Sequence, residues 1–194
     1  VSSWKENTIL ESDHIGSIPR TNISIKISSL FANTDPIAHD LSVDGLFKAL
    51  RPILEEAEKN NVFINFDMEQ FEYKDLTLNL FMKCCDEINF TAGIAMQAYL
   101  RSGDDDAKKI IEWSKRTGRV VTVRLVKGAY WDYETIHAEE MGWPVPVWSR
   151  KVDTDACFER MAALFIESTP KTQGVGGIKL ALGSHNIRSI AAAL

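Results

Sequence analysis

Several features that would assign a chain of 194 residues to a special class are scarce or absent in this sequence. The only cysteines, Cys84, Cys85 and Cys157, form no CxxC pair, which argues against both a zinc site and a disulfide framework. The net charge is −5 and there is no basic block, so nucleic-acid binding receives little support. No apolar run is long enough to span a bilayer, and no signal peptide is recognisable. These absences favour a cytosolic protein with reduced thiols.

What remains is the composition of an ordinary globular domain, with 45% hydrophobic and 25% charged residues. The length is sufficient for one domain with its own core. Residues 1–21 are polar and show little periodicity. We interpret them as a leading segment and place the domain at residues 22–194.

From residue 23 onward, segments with the two-residue period of a strand alternate with segments of helical period. The predicted strands are residues 23–30, 62–69, 91–99, 119–131 and 177–184, and the predicted helices are residues 46–61, 73–88, 102–118, 153–168 and 186–194. Pro52 lies inside the first of these helices and predicts a kink there or a late start. Strands that alternate with helices indicate an α/β fold with a parallel sheet.

A (β/α)8 barrel of the TIM type and a doubly wound sheet both fit this order of elements. A dinucleotide-binding doubly wound sheet has a glycine-rich turn after its first strand, and no such turn is present here. The GVGG cluster at residues 174–177 precedes a predicted strand instead of following one. The sequence therefore favours the barrel, of which the chain supplies about the first five strands.

Apolar and polar residues occupy opposite faces of the predicted strands. In the first strand, Ile23, Ile25 and Ile27 lie on the face that is expected to meet the helices. Each of the first four strands carries one long polar residue on the opposite face, near its carboxyl end: Lys26, Asp67, Gln97 and Arg124. Any one of them could be solvated, cap a loop or pair with a neighbour. Four at matching positions favour a small-molecule site, since barrels build active sites at these ends.

The residue types indicate what such a site could bind. Lys26 and Arg124 are permanent donors suited to a carboxylate, a phosphate or the edge of a flavin. Gly128 lets the backbone approach a flat ligand closely. Tyr130 and Trp131 offer flat apolar surfaces against which such a ligand could pack.

Two segments further along the chain add to this prediction. The segment RKVDTD at residues 150–155 precedes a predicted helix and suits phosphate binding. His185 follows the fifth strand, where a capping or core position explains it as well as a function does. His14, His39 and His137 are predicted to lie on the surface. No HxH, HExxH or carboxylate cluster points to a metal site.

Three motifs carry a resemblance to a known family: RLVKGAYWD at residues 124–132, RKVDTD at 150–155 and SHN at 184–186. Together they resemble the proline dehydrogenase domain, in the form carried by bifunctional bacterial enzymes of the proline utilization A type. The segments SIKISSL, NFDMEQ and GIAMQAY resemble the first three barrel strands of that family. The resemblance covers most of residues 22–190 and implies a distorted (β/α)8 barrel that binds FAD.

The resemblance also implies an activity. The family oxidises L-proline to Δ1-pyrroline-5-carboxylate by hydride transfer to flavin N5, and it passes the electrons to a membrane quinone. The implied partners are therefore L-proline, the quinone and a fused or separate pyrroline-5-carboxylate dehydrogenase domain. The implied location is cytoplasmic, with a peripheral contact at the inner face of the membrane.

Carried over to this sequence, the resemblance gives roles to individual residues. The implied catalytic residues are Lys26, which would bind the proline carboxylate, together with Asp67, Arg124 and Tyr130. The implied FAD contacts are Asp67, Gln97, Arg124, Val126, Gly128, Ala129, Tyr130 and Trp131 at the flavin, Arg150, Lys151 and Thr154 at the phosphates and ribose, and Ser184, His185 and Asn186 at the outer portion. Arg124 would lie near flavin N5. Ser184 stands where the family usually has threonine, and it retains the hydroxyl.

The sequence departs from the family in one respect. The last helix of the family carries an arginine pair and a glutamate that hold the substrate, and no adjacent arginine pair occurs here. We therefore expect the chain to be the amino-terminal part of a larger catalytic domain. Two other interpretations stay open: an aldolase- or lyase-type barrel with a Schiff base at Lys26 or Lys127, and a scaffold segment without a cofactor.

Overall fold

Within residues 5, 7 and 9–194, which the computed structural model of the protein describes, five parallel strands form one sheet. They are β1 (Thr21–Ile25), β2 (Val62–Phe66), β3 (Thr91–Gln97), β4 (Val120–Val126) and β5 (Gly177–Leu182). Each strand pairs with the one that follows it in the chain. A doubly wound sheet reverses its order at a switch point, and this sheet does not, so its arrangement is that of a (β/α) barrel segment.

Helices connect these strands. They are α1 (His39–Lys59), α2 (Lys74–Glu87), α3 (Gly103–Thr117), α4 (Trp131–Met141), α5 (Lys151–Glu167) and α6 (Ile187–Ala192), with 3₁₀ helices at Ile27–Ser29 and Phe71–Tyr73. α1 starts earlier than predicted and continues through Pro52. α3 ends at Gly118 as predicted, because its φ of 72° is a left-handed conformation that glycine adopts without strain. None of the described helices is long and apolar enough to cross a membrane.

α4 was not predicted, because its sequence pattern is inverted. Its buried residues are Glu134 and Ala138, whereas Tyr133, Ile136 and Met141 are exposed. A pattern of this kind shows no apolar stripe directed at a core. The sequence therefore predicts no element between residues 131 and 153, whereas the structure has a helix at Trp131–Met141.

The main core lies between the sheet and the helices, as the alternation of residues predicted. Val121, Val123 and Leu125 of β4 are buried on this side. Phe66 of β2 meets Phe81 of α2 edge to face, with ring centroids 5.3 Å apart. Face-to-edge contacts of this kind add to the free energy gained by burying the rings.

β1 differs from its prediction in two ways. It ends at Ile25, and the predicted strand residue Ile27 instead belongs to a 3₁₀ helix, where it is buried. Ile23 was expected to meet the helices but is 46% exposed, since β1 pairs with β2 alone among the described strands. The leading segment at residues 1–21 is described only in part, because residues 1–4, 6 and 8 lie outside the described residues.

Candidate active site

A cavity of about 530 Å³ opens where the carboxyl ends of the five strands meet. Its walls come mainly from residues at or just beyond these ends. Most residues that the sequence assigned to a site line it: Lys26, Asp67, Gln97, Arg124, Val126, Gly128, Ala129, Tyr130, Lys151, Ser184, His185 and Asn186. Active sites of (β/α) barrels lie at this end of the sheet.

Three of the assigned residues lie outside the lining of this cavity. Trp131 is the first residue of α4, and its indole N–H donates to the Trp148 carbonyl oxygen at 2.8 Å. Arg150 precedes α5 and pairs with Asp153 through two hydrogen bonds of 2.9 and 2.8 Å. Thr154 is buried within the first turn of α5. Each of these residues is close in sequence to a lining residue, but none of the three contributes to the lining itself.

An ion pair crosses the cavity between two strands that are not neighbours. Arg124 of β4 donates from Nη2 to Oδ1 of Asp67, which follows β2, at 2.6 Å. β3 lies between them, and its residue in register with Arg124 is Ala95, whose short side chain leaves room for the contact. Asn65 donates a second hydrogen bond to the same Asp67 oxygen at 3.0 Å. Because 40% of the Arg124 side chain is exposed, a ligand can still reach it.

Gln97 presents an unsatisfied acceptor at this cavity. The side chain is almost fully buried, and its Nε2 donates to the Glu69 carbonyl oxygen at 3.2 Å. Its Oε1 has no hydrogen-bond partner among the described residues. A buried polar atom without a partner costs about 1–3 kcal/mol. A ligand with an N–H group at this position would remove that cost, and the ring system of a flavin carries such a group.

Two lysines at the cavity share one carboxylate. Asp155 of α5 accepts from Lys151 Nζ at 2.7 Å and also from Lys127 Nζ. Strand alternation would place Lys127 on the face opposite Arg124, but β4 ends at Val126, and Lys127 lines the cavity with Arg124. An ammonium held in such a pair is a poor Schiff-base nucleophile. The arrangement therefore gives no support to an aldolase-type role for Lys127.

Lys26 differs from these lysines in its surroundings. Its side chain lines the cavity, and it has no ion-pair partner among the described residues. On the far wall, Asn186 begins α6 and accepts a hydrogen bond from the Ser189 N–H at 3.2 Å. His185 is exposed there. The cavity thus contains a lysine that has no carboxylate partner among the described residues, next to β1. Beyond β5 it contains the polar side chains of His185 and Asn186.

The charge of Asp155 makes a testable contribution to stability. Burial alone would raise its pKa, but hydrogen bonds from Lys127 and Lys151 outweigh this effect and hold the pKa below its ordinary value of 3.8. Because the folded-state pKa is depressed, the contribution is complete above pH 3.8 and is lost as the pH falls through the lower folded-state pKa. We expect Asp155→Asn to lower the free energy of unfolding by about 1–2 kcal/mol at pH 7.

Urea unfolding at a series of pH values measures this prediction. The difference between Asp155→Asn and the unmodified protein should shrink as the pH is lowered below 3.8. Asp105→Asn is the control, since Asp105 is exposed and contacts Lys108 at 3.5 Å on the surface of α3. A difference for Asp155→Asn that stays constant with pH would contradict the assigned role of the two lysines.

The chain after β4 bends sharply at Gly128, on the floor of the cavity. Its φ is 133°, a conformation that side chains with a Cβ rarely adopt. A Cβ at this position would lie 2.4 Å from the ring of Tyr99. The buried Tyr99 ring and the bend therefore pack directly against each other, and Gly128 is required for this contact as well as for the turn.

Some lining residues were not assigned to the flavin or proline site from the sequence. They are Met68, Ala95 and Gly183, together with Lys127, which was named only in the Schiff-base alternative. Met68 and Ala95 have apolar side chains that carry no functional signal in a sequence. The short side chain of Ala95 could be identified as necessary only once Arg124 and Asp67 were known to meet across β3.

Comparisons with known proteins agree on one family. A family model described as proline dehydrogenase matches residues 2–194. The structure of proline utilization A from Bdellovibrio bacteriovorus, inactivated by N-propargylglycine, superposes with a TM-score of 0.91 at 40% sequence identity. The match covers 99% of this chain and 20% of that one. Proline utilization A from Corynebacterium freiburgense superposes with a TM-score of 0.79 at 32% identity, covering 88% of this chain and 18% of that one.

Curated relatives give the same result. The bifunctional protein PutA of Klebsiella aerogenes is 32% identical over 151 residues, which cover 73% of this chain and 12% of the relative. Proline dehydrogenase 1 of Bacillus subtilis subsp. natto is 32% identical over 110 residues, which cover 57% of this chain and 32% of the relative. The chain thus spans about an eighth to a third of the length of these two relatives.

Proposed function

Because the chain belongs to the proline dehydrogenase family, we propose that it takes part in the FAD-dependent oxidation of L-proline to Δ1-pyrroline-5-carboxylate. One observation carries the proposal. Twelve of the residues that the resemblance assigned to substrate and cofactor line a single cavity: eleven lie at or just beyond the ends of five different strands, and Lys151 begins α5. Unrelated structural roles for these residues would not require such convergence.

The chemistry of the cavity fits a flavin cofactor. The unsatisfied Oε1 of Gln97 suits a ring N–H, and Lys151 begins α5 at the cavity wall, where cations and a helix N-terminus favour phosphate. Bound FAD would supply the acceptor, at N5, for the hydride that leaves the substrate. Tyr130 would pack against the flavin, and Ala129 and Gly128 would allow close approach of the backbone.

The side chains around the substrate would bind and orient it. Lys26 would hold the proline carboxylate through a charge-assisted hydrogen bond. Asp67 would fix the guanidinium of Arg124 beside the redox edge, where a positive charge stabilises negative charge that develops there. Since Asn65 also donates to Asp67, the carboxylate is held from two sides. These contacts would hold Arg124 in place before the substrate binds.

The remaining steps follow from the same proposal. Electrons would pass on to a membrane quinone through a peripheral contact, and the product would pass to a pyrroline-5-carboxylate dehydrogenase domain. The relatives described as bifunctional support the second of these steps. The residues assigned outside the cavity lining, Trp131, Arg150 and Thr154, would contact the cofactor beyond the flavin ring.

The proposal is tested by an activity assay on the complete catalytic domain in which we expect this chain to occur. That domain, purified with FAD, should reduce an artificial electron acceptor in the presence of L-proline but not D-proline, and it should release a product with the mass of Δ1-pyrroline-5-carboxylate. Borohydride treatment with a carbonyl substrate should trap no covalent adduct. An adduct at Lys26 or Lys127, together with absent proline oxidation, would favour the Schiff-base alternative instead.

Lys26→Met should separate binding from chemistry. The loss of one charge-assisted hydrogen bond to the substrate carboxylate should raise KM for L-proline by about 10–100-fold. The effect on kcat should be much smaller, because the lysine would bind the part of the substrate that does not react. Steady-state kinetics measure both constants, with Lys48→Met on the surface of α1 as the control. Complete loss of activity at saturating proline would contradict a binding role and would favour covalent catalysis by Lys26.

A further inference from the structure

A second cavity lies beside α4, on a part of the surface that the proposed function does not use. Its volume is about 440 Å³, within the range of ligand pockets, roughly 300–1,000 Å³. It is enclosed by α4, by Phe71 and Glu72, by Arg101, and by the loop at residues 143–146. We call it the α4 cleft. It shares no lining residue with the cavity at the strand ends.

Aromatic rings form one side of the α4 cleft. The rings of Tyr133 and His137 stack with centroids 5.4 Å apart and planes 14° apart. Trp143 meets His137 edge to face at 5.7 Å. Tyr133 and Trp143 are 43% and 56% exposed, although large aromatic side chains usually gain free energy from burial. Exposed aromatic faces around a concave site attract cations, and alkylated ammonium groups suit them especially well.

The same cleft contains carboxylates. Glu72 and Glu134 both line it. Glu134 is only 4% exposed, and its Oε1 accepts a hydrogen bond from the Phe71 N–H at 2.7 Å, which holds the carboxylate in place. α4 itself contains four acidic residues and no lysine or arginine. This charge complements a cationic group and disfavours an anionic lipid surface as the occupant.

The lining of the α4 cleft also includes a cation, Arg101. Arg101 donates from Nε to the Val145 carbonyl oxygen at 3.1 Å, and its guanidinium lies 5.0 Å from the ring centroid of Trp148. Arg101 has no ion-pair partner among the described residues. Guanidinium groups held in this way are suited to bind a carboxylate. The α4 cleft therefore offers aromatic rings and carboxylates to a positive group and an arginine to a negative group.

We propose that the α4 cleft binds a small zwitterion that carries an alkylated ammonium group and a carboxylate, as betaines do. The ammonium group would lie against Tyr133 and Trp143, near Glu72 and Glu134. The carboxylate would pair with Arg101. An apolar ligand would fill the volume but would leave all of these charges unused, and a simple cation would lie near Arg101 without a compensating charge.

Calorimetric titration of the full chain with three probes tests the proposal. Glycine betaine carries both charges, choline lacks the carboxylate, and 3,3-dimethylbutanoate has the same shape as glycine betaine without the positive charge. We expect glycine betaine to bind at least about tenfold more tightly than either of the other two, since each removes one charged contact. This measurement is independent of proline oxidation. Betaine binding can therefore be absent in a protein that oxidises proline, and it can be present in a protein that does not.

Variants assign the binding to the cleft. Trp143→Leu and Arg101→Met should each weaken glycine betaine binding by about tenfold. Both side chains are exposed, so the fold should persist, and circular dichroism checks that it does. Arg160→Met, which removes an exposed arginine that pairs with Asp104, is the matched control and should bind betaine normally.

Three results would overturn the proposal. Equal affinity for glycine betaine and 3,3-dimethylbutanoate would show that the positive charge of the ligand does not contribute to binding, as expected for an apolar groove. Unchanged betaine affinity in Trp143→Leu would place the binding elsewhere. The absence of any binding heat with glycine betaine would show that the α4 cleft does not bind this ligand.

Discussion

Arg124→Met is expected to slow proline-dependent flavin reduction by at least about 100-fold, because it removes the positive charge beside the redox edge. The substitution would also leave Asp67 with only the hydrogen bond from Asn65. Flavin retention should weaken as well. The free energy of unfolding should change by about 1 kcal/mol or less, since the ion pair is partly exposed and such pairs contribute little. Stopped-flow reduction and urea unfolding measure the two effects separately.

Arg51→Met is the matched control for this variant. Arg51 also pairs with a carboxylate, Glu55 at 2.9 Å, but on the exposed surface of α1. It should reduce flavin at the normal rate. Normal flavin content and normal reduction in Arg124→Met would remove the assignment of Arg124 to the flavin. A large loss of stability with unchanged kinetics would make Arg124 a structural residue.

Gly128→Ala is expected to have the largest effect on both stability and cofactor binding. The added Cβ would lie 2.4 Å from the Tyr99 ring, in a backbone conformation with φ of 133° that alanine rarely adopts. Strain and overpacking together should lower the free energy of unfolding by about 3 kcal/mol. The bend would move, and FAD retention should fall by an order of magnitude or more, since Gly128 lines the cavity. Thermal unfolding and flavin content measure the two results.

Two further variants separate the causes of this loss. Gly118→Ala also places alanine at a positive φ, of 72°, but its Cβ would meet nothing within 4 Å. It should cost about 1 kcal/mol and leave flavin content unchanged. Adding Tyr99→Ala to Gly128→Ala should recover part of the lost flavin binding, because it removes the clashing ring. Equal effects of Gly118→Ala and Gly128→Ala would show that the contact with Tyr99 does not matter.

Much of the barrel segment could be predicted from the sequence, because the determining interactions are local. In β4 the buried residues Val121, Val123 and Leu125 alternate with less buried ones, and the sequence shows this two-residue period directly. The same alternation led to Asp67, Gln97 and Arg124, whose side chains share one face. Parallel strands then bring these residues to one edge of the sheet, so a local pattern was sufficient to predict that they lie together at one cavity.

Features that depend on particular tertiary contacts could not be predicted. Lys127 lines the cavity because β4 stops one residue earlier, and strand ends depend on pairing with neighbours. α4 buries a glutamate whose carboxylate is satisfied by the Phe71 N–H, a partner far away in sequence. The ion pair between Arg124 and Asp67 requires a small residue at position 95, between them. None of these contacts leaves a periodic signal in the chain.

The central claim is that the cavity at the strand ends holds FAD and presents L-proline to it. The most direct measurement is the visible absorbance spectrum of the complete catalytic domain that includes this chain, purified with FAD and recorded before and after anaerobic addition of L-proline. The account predicts an oxidised flavin spectrum that bleaches on addition of proline and does not bleach with D-proline. A bound flavin whose spectrum stays unchanged at saturating L-proline would contradict the proposed reaction. A protein that retains no flavin would contradict the cofactor assignment itself.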